Sequence, residues 1–109
     1  MKTIQEVTKD FFNTLLFVIA KNSSKSYGLV ALRNIKKSLN NEFPFVELIK
    51  ISDSTIKIDR MMNSIDSKKI KRLFTKTINI LGPNFLKLIM RDKLDEEDIK
   101  YLNKIGVKF

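Results

Sequence analysis

The chain has no cysteine and no histidine, and only three glycines and two prolines among its 109 residues. Without cysteine there is no disulfide framework, no thiolate metal site and no thiol nucleophile. Without histidine as well, neither a Ser-His nor a Cys-His catalytic pair can be assembled, and the common zinc sites are excluded. Acid–base chemistry would fall to carboxylates, lysines or the two tyrosines, Tyr27 and Tyr101, neither of which has a catalytic constellation beside it in sequence. The glycines, Gly28, Gly82 and Gly106, are too scattered for a phosphate-cradling loop or a dinucleotide fingerprint. These absences point away from an enzyme, and no cofactor is expected. The lack of cysteine also fits a reducing compartment.

Long hydrophobic runs are missing too. The longest apolar stretch, "FFNTLLFVIA" at 11–20, is broken by Asn13 and Thr14. It is far short of the roughly 20 residues that span a bilayer. The preceding "MKTIQEVTKD" has the wrong charge and length for a signal peptide. The expectation is a core helix in a cytoplasmic protein with no membrane span.

What remains is 43% hydrophobic and 30% charged, the balance of one soluble globular domain over 1–109. A chain of this size buries roughly two thirds of its unfolded surface, enough for one core. The net charge of +9 is uneven. Residues 1–42 hold seven bases and three acids, 43–66 three and four, and 67–109 eleven and five. Basic ends flanking a near-neutral middle favour polyanionic partners. Lysine outnumbers arginine 17 to 4, a bias that an A/T-rich genome or a hot habitat also produces without any partner.

Apolar Ile4, Val7, Phe11, Leu15 and Val18 share one side of a first helix over 4–21, and Leu16, Phe17 and Ile19 widen its apolar face to most of the circumference. Such a helix is either central in its domain or buried in an oligomer. After a polar turn, a second helix runs from about Ser26 to Asn40, with Ala31, Leu32, Ile35 and Leu39 on one face. Pro44 ends this region. The runs at 45–51 and 55–59, joined by "SDS", predict a β-hairpin. A third helix spans 67–81, capped by Asp66 with Ile65 and Ile70 as a hydrophobic staple. "GP" at 82–83 stops it and starts a fourth, about 84–93, that turns Phe85, Leu88 and Ile89 inward. The last, 96–105, has Asp95 as its cap, Leu94 and Ile99 as a second staple, and Gly106 with Val107 as a Schellman ending. The fold class is therefore α+β, a mostly helical domain of about five helices with one β-hairpin between the second and third.

The stretch "KKIKRLFTK" at 68–76 holds five bases and no acid. Lys68, Lys69, Lys71, Arg72 and Lys76 occupy about 160° of the helix at 100° per residue, opposite the apolar side. Lys68 with Arg72, and Arg72 with Lys76, are like charges at i,i+4, where an ordinary exposed helix intersperses glutamate. A partner of negative charge would relieve the repulsion, and so would acids brought from elsewhere in the fold. On the second helix Arg33, Lys36 and Lys37 form a smaller basic face.

In element order, a helix followed by a hairpin resembles the recognition helix and wing of a winged-helix domain. That resemblance implies DNA binding, with Arg33, Lys36 and Lys37 facing the duplex and "SDS" at the wing tip. Against it, the tip carries Asp53, the short helix before the recognition helix has no place, and no helix face offers a base-reading set. RNA recognition would want exposed aromatics, whereas most phenylalanines here fall on apolar helix faces. Phe43 and Phe45, around Pro44, read as core packing at a strand entrance. "DEED" at 95–98 complements a helix dipole, and with no further ligand set in the local sequence no metal site is predicted. Phe12, Leu16 and Phe17 are the candidates for a homodimer interface. The sequence thus predicts a non-enzymatic binding or regulatory module, acting on a protein partner or on itself and through a basic surface. Nucleic acid is the alternative partner, met by the basic faces at about 26–40 and 67–81.

Overall fold

The computed structural model describes residues 2–21, 23–82 and 90–107. The first helix, α1 (Ile4–Ala20), opens with a reciprocal cap: the Thr3 hydroxyl accepts from the Glu6 amide and the Glu6 carboxylate from the Thr3 amide. Val7, Phe11, Phe12, Leu15 and Leu16 are buried, so most of its broad apolar face is enclosed by the chain itself, Phe17 being left exposed. α1 packs against the second helix, the hairpin, the turn that follows the hairpin and the last helix. Phe11 also stacks on Phe74 of the third helix, ring centroids 4.1 Å apart and nearly parallel. It is the central element.

α2 (Lys25–Leu39) starts at Ser24, whose hydroxyl accepts from the Tyr27 amide. Its approach to α1 depends on Gly28, where an added Cβ would lie 2.7 Å from Leu16 Cδ1. The hairpin is shorter than the sequence predicts. Strands β1 (Ile49–Ile51) and β2 (Ile56–Ile58) pair antiparallel, Ile49 opposite Ile58 and Ile51 opposite Ile56. Residues Pro44–Leu48 instead form a 3₁₀ turn. Pro44 suits the first position of a helical turn. A strand continued back to 45 would also place Glu47 on the same face as Ile49, whereas the turn buries Phe43 and Val46 and leaves Glu47 outside. A second 3₁₀ turn, Arg60–Ser64, buries Met62. It is tied to α1 by the Gln5 amide donating to Asn63 Oδ1.

α3 (Ser67–Leu81) begins at Asp66, whose carboxylate accepts from the Lys68 amide at 2.8 Å. Ile70, Leu73, Phe74, Thr77 and Ile78 are buried, and Ile65 and Ile70 stand as the staple predicts. The fourth predicted helix falls mostly outside the described residues, including Phe85, Leu88 and Ile89; residues 90–93 are helical and Met90 is buried. α4 (Glu96–Ile105) is capped by Asp95, whose carboxylate accepts from the Asp98 amide. It ends as a Schellman motif, with Val107 N–H donating to Leu102 O and Gly106 in the left-handed region at φ 99°. Mostly helical with a two-stranded hairpin between α2 and α3, the architecture is α+β. The buried side chains form one cluster.

Candidate functional sites

The apolar periodicity of α3 turns its other side to solvent, and Lys68, Lys69, Lys71, Arg72 and Lys76 are all exposed. One acid reaches this face. Glu42, three residues beyond α2, lies 3.2 Å from Lys76 Nζ and 3.6 Å from Arg72. Its carboxylate bridges two bases that stand one turn apart, which relieves their mutual repulsion. The Arg72 guanidinium also lies 5.9 Å from the centroid of the Phe43 ring, a cation–π contact that helps hold it in place. Among the described residues Lys68, Lys69 and Lys71 have no carboxylate partner. The face keeps a large positive excess.

The α2 face is smaller than the sequence implied. Arg33 is engaged with Asp53 at the hairpin tip, 2.8 Å away, so the tip folds its acid onto the helix. Lys36 is half-buried and Lys37 exposed. Of the residues suggested for a homodimer, Phe12 and Leu16 are buried in the chain's own core, because α2 and α3 cover them. Phe17 is 45% exposed, with Lys93 Nζ 4.2 Å from its ring centroid. On the outer face of the hairpin, Lys50 and Lys57 stand directly opposite each other.

A second cluster unites residues far apart in sequence. Lys2, just before the α1 cap, contacts three carboxylates: Asp10 at 2.6 Å, Asp95, and Asp98 at 3.3 Å. Asp10 comes from the second turn of α1, Asp95 is the cap of α4 and Asp98 sits in its first turn. One ammonium thus faces three carboxyl groups. Asp98 is 2% exposed, and its Oδ1 is buried with no hydrogen-bond partner. Burial pushes its carboxyl up to about 7, the adjoining Asp10 carboxyl pushes the same way, and Lys2 opposes both. Lys2 is held above its ordinary value, first by Asp10 and then by Asp95. Asp95 is lowered by Lys2 and by the Asp98 amide.

Two cavities adjoin this cluster. One of about 330 Å³ is lined by Asp10, Asn13, Thr14, Asp95 and Asp98 among others. The other, about 890 Å³, lies between the start of α1 and α4 and is lined by Ile4, Asn63, Lys100, Tyr101 and Lys104. The Tyr101 hydroxyl is buried without a partner, and burial raises its pKa.

Comparison with family models, with curated proteins and with solved structures found no match for this chain. No helix among the described residues is long and apolar enough to cross a membrane.

Sequence reasoning placed the α3 bases correctly on one exposed face and missed their partner Glu42. It read Asp95–Asp98 as a helix start, which they are, and did not connect them with Lys2 and Asp10. The link between Lys2 and Asp95 spans 93 positions.

Proposed function

We propose that the chain is a non-enzymatic binding module whose α3 basic face docks onto an acidic surface of a partner protein. The observation that carries the reading is the Glu42 bridge between Arg72 and Lys76 on an otherwise one-signed face. It is an internal instance of the recognition proposed: a carboxylate seated between bases one turn apart, with Lys68, Lys69 and Lys71 left for carboxylates of a partner. The face does not complement itself, so a second copy of the chain is a poor occupant. The missing histidine and cysteine support a non-enzymatic role.

A winged-helix mode of DNA binding receives less support. It needs Arg33 directed at the duplex and a basic wing, whereas Arg33 is paired with Asp53 at the hairpin tip. Lysine, a compact point charge, also predominates on α3 and reads base edges less well than a forked arginine.

The test is a titration of a fluorescent Asp/Glu-rich peptide, duplex DNA and RNA of equal charge, at several salt concentrations. The same series is run on the variant Lys68→Glu, Lys69→Glu, Arg72→Glu. Salt-sensitive peptide binding that the variant loses is the expected result. If duplex DNA binds far more tightly, with a log–log salt slope near −4.5 as roughly five neutralised phosphates require, the partner is nucleic acid. No binding of any probe at low salt would refute the reading altogether.

A further inference from the structure

Lys2 is an ammonium ion on a tether, and its surroundings are those of a cation. We propose that Asp10, Asp95 and Asp98 form a site for a hard divalent cation of the Ca2+ class, which exchanges with the Lys2 ammonium. One oxygen from each carboxylate lies within 4.8 Å of the other two. Ca2+ holds its oxygen ligands at 2.3–2.6 Å, so its shell is roughly 4.6–5.2 Å across and can take all three.

A separate observation points to a missing ligand. Asp98 Oδ1 is buried without a partner on a residue that is 2% exposed. The same carboxyl turns Oδ2 to Lys2, and the Asp10 carboxylate brings an oxygen within 4.8 Å of it. An ionised carboxylate only accepts, so carboxylates gathered this closely call for a cation among them. One ammonium against three carboxyl groups leaves negative charge that a dication offsets better than Lys2 does.

The route and the exit are both present. The cavity of about 330 Å³ leads from solvent to these carboxylates past Asn13, and leaves space for water ligands. Lys93, which also lines it, is turned over the Phe17 ring. Lys2 precedes the Thr3 cap, so it can withdraw without unwinding α1. Asp95 keeps capping α4 through Oδ1 while Oδ2 serves the cation. The exchange would leave the segment before Thr3 free of its anchor on α4.

The experiment is calorimetric titration of the full chain with CaCl2, MgCl2 and MnCl2, paired with thermal melts against KCl at equal ionic strength. The wild type should bind one ion per chain weakly, and millimolar Ca2+ should raise its melting temperature saturably. Lys2→Met removes the competing ammonium and should tighten binding at least about tenfold. Asp98→Asn should weaken it by no less than the roughly 10- to 100-fold typical of altering a supporting residue at a metal site. A wild-type melting temperature that no dication raises beyond the KCl control would overturn the proposal. So would affinity that Asp98→Asn leaves unchanged, or Lys2→Met protein that folds and binds no more tightly than wild type.

Discussion

Gly28→Ala offers a sharp test of how α1 and α2 meet, because two opposing effects decide its sign. Replacing glycine by alanine inside an exposed helix gains about 0.8–1 kcal/mol in propensity. Here the new methyl would lie 2.7 Å from Leu16 Cδ1, with Leu16 O at 3.5 Å and Ala20 Cβ at 3.6 Å. Carbon atoms settle at roughly 3.5–4.0 Å, so Leu16 must move by about 1 Å or the helices must part. Leu16 is itself packed, at 9% exposure, and overpacking of this kind costs about 1–3 kcal/mol. The cost exceeds the gain, and we expect a net loss of about 1 kcal/mol, or about 4–8 °C in melting temperature for a domain near this size. Urea denaturation followed by far-UV circular dichroism would measure it, with an unchanged m-value confirming that the two states are comparable. Leu16→Val removes the clashing δ carbon, so the double variant should be less destabilised than the sum of the singles by about 0.5 kcal/mol or more. A Gly28→Ala protein more stable than wild type would show that the two helices do not approach this closely.

Four further outcomes are expected. Phe74→Ala removes the ring stacked on Phe11 and should cost about 3–5 kcal/mol, a large share of the roughly 5–15 kcal/mol a domain has, read as a lowered urea midpoint by far-UV circular dichroism. Gly106→Ala forces an alanine to φ 99° against the Lys71 side chain and should cost about 1–2 kcal/mol in chemical denaturation. Lys57→Thr relieves the like-charge pair with Lys50 and suits a strand, so stability should rise by about 0.5 kcal/mol, less so in high salt. Glu42→Gln should change stability by less than about 1 kcal/mol, yet tighten binding of an acidic peptide, since Arg72 and Lys76 lose their internal carboxylate.

The parts of this fold legible in the sequence are those whose causes are local. α3 and α4 begin and end where the sequence predicts because Asp66, Asp95 and Gly106 act within one turn of themselves. The hairpin was overestimated at its first strand, where β-branched composition argued for extension and the burial of Phe43 and Val46 around Pro44 decided for a turn. The broad apolar face of α1 permitted either a central position or an oligomer, and only the placement of α2 and α3 resolves this for Phe12 and Leu16. The α3 bases were legible because periodicity alone puts them outside. Glu42 and the group formed by Lys2, Asp10, Asp95 and Asp98 were not, since the path of the chain, which no local pattern encodes, brings them together.

The central position of α1 has a consequence for the chain during its own synthesis. α1 emerges before every element that covers it, and the ring that stacks on Phe11 follows 63 positions later, at Phe74. At roughly 5–20 residues per second, the interval is about 3–13 s. Throughout it Phe11, Phe12 and Leu15 have at most α2, the hairpin and the turn that follows it to lie against. The nascent chain therefore presents a sticky aromatic surface to the ribosome exit and to any holdase waiting there. Release from that state is set by the arrival of α3, so slow translation between α1 and the end of α3 prolongs the exposure.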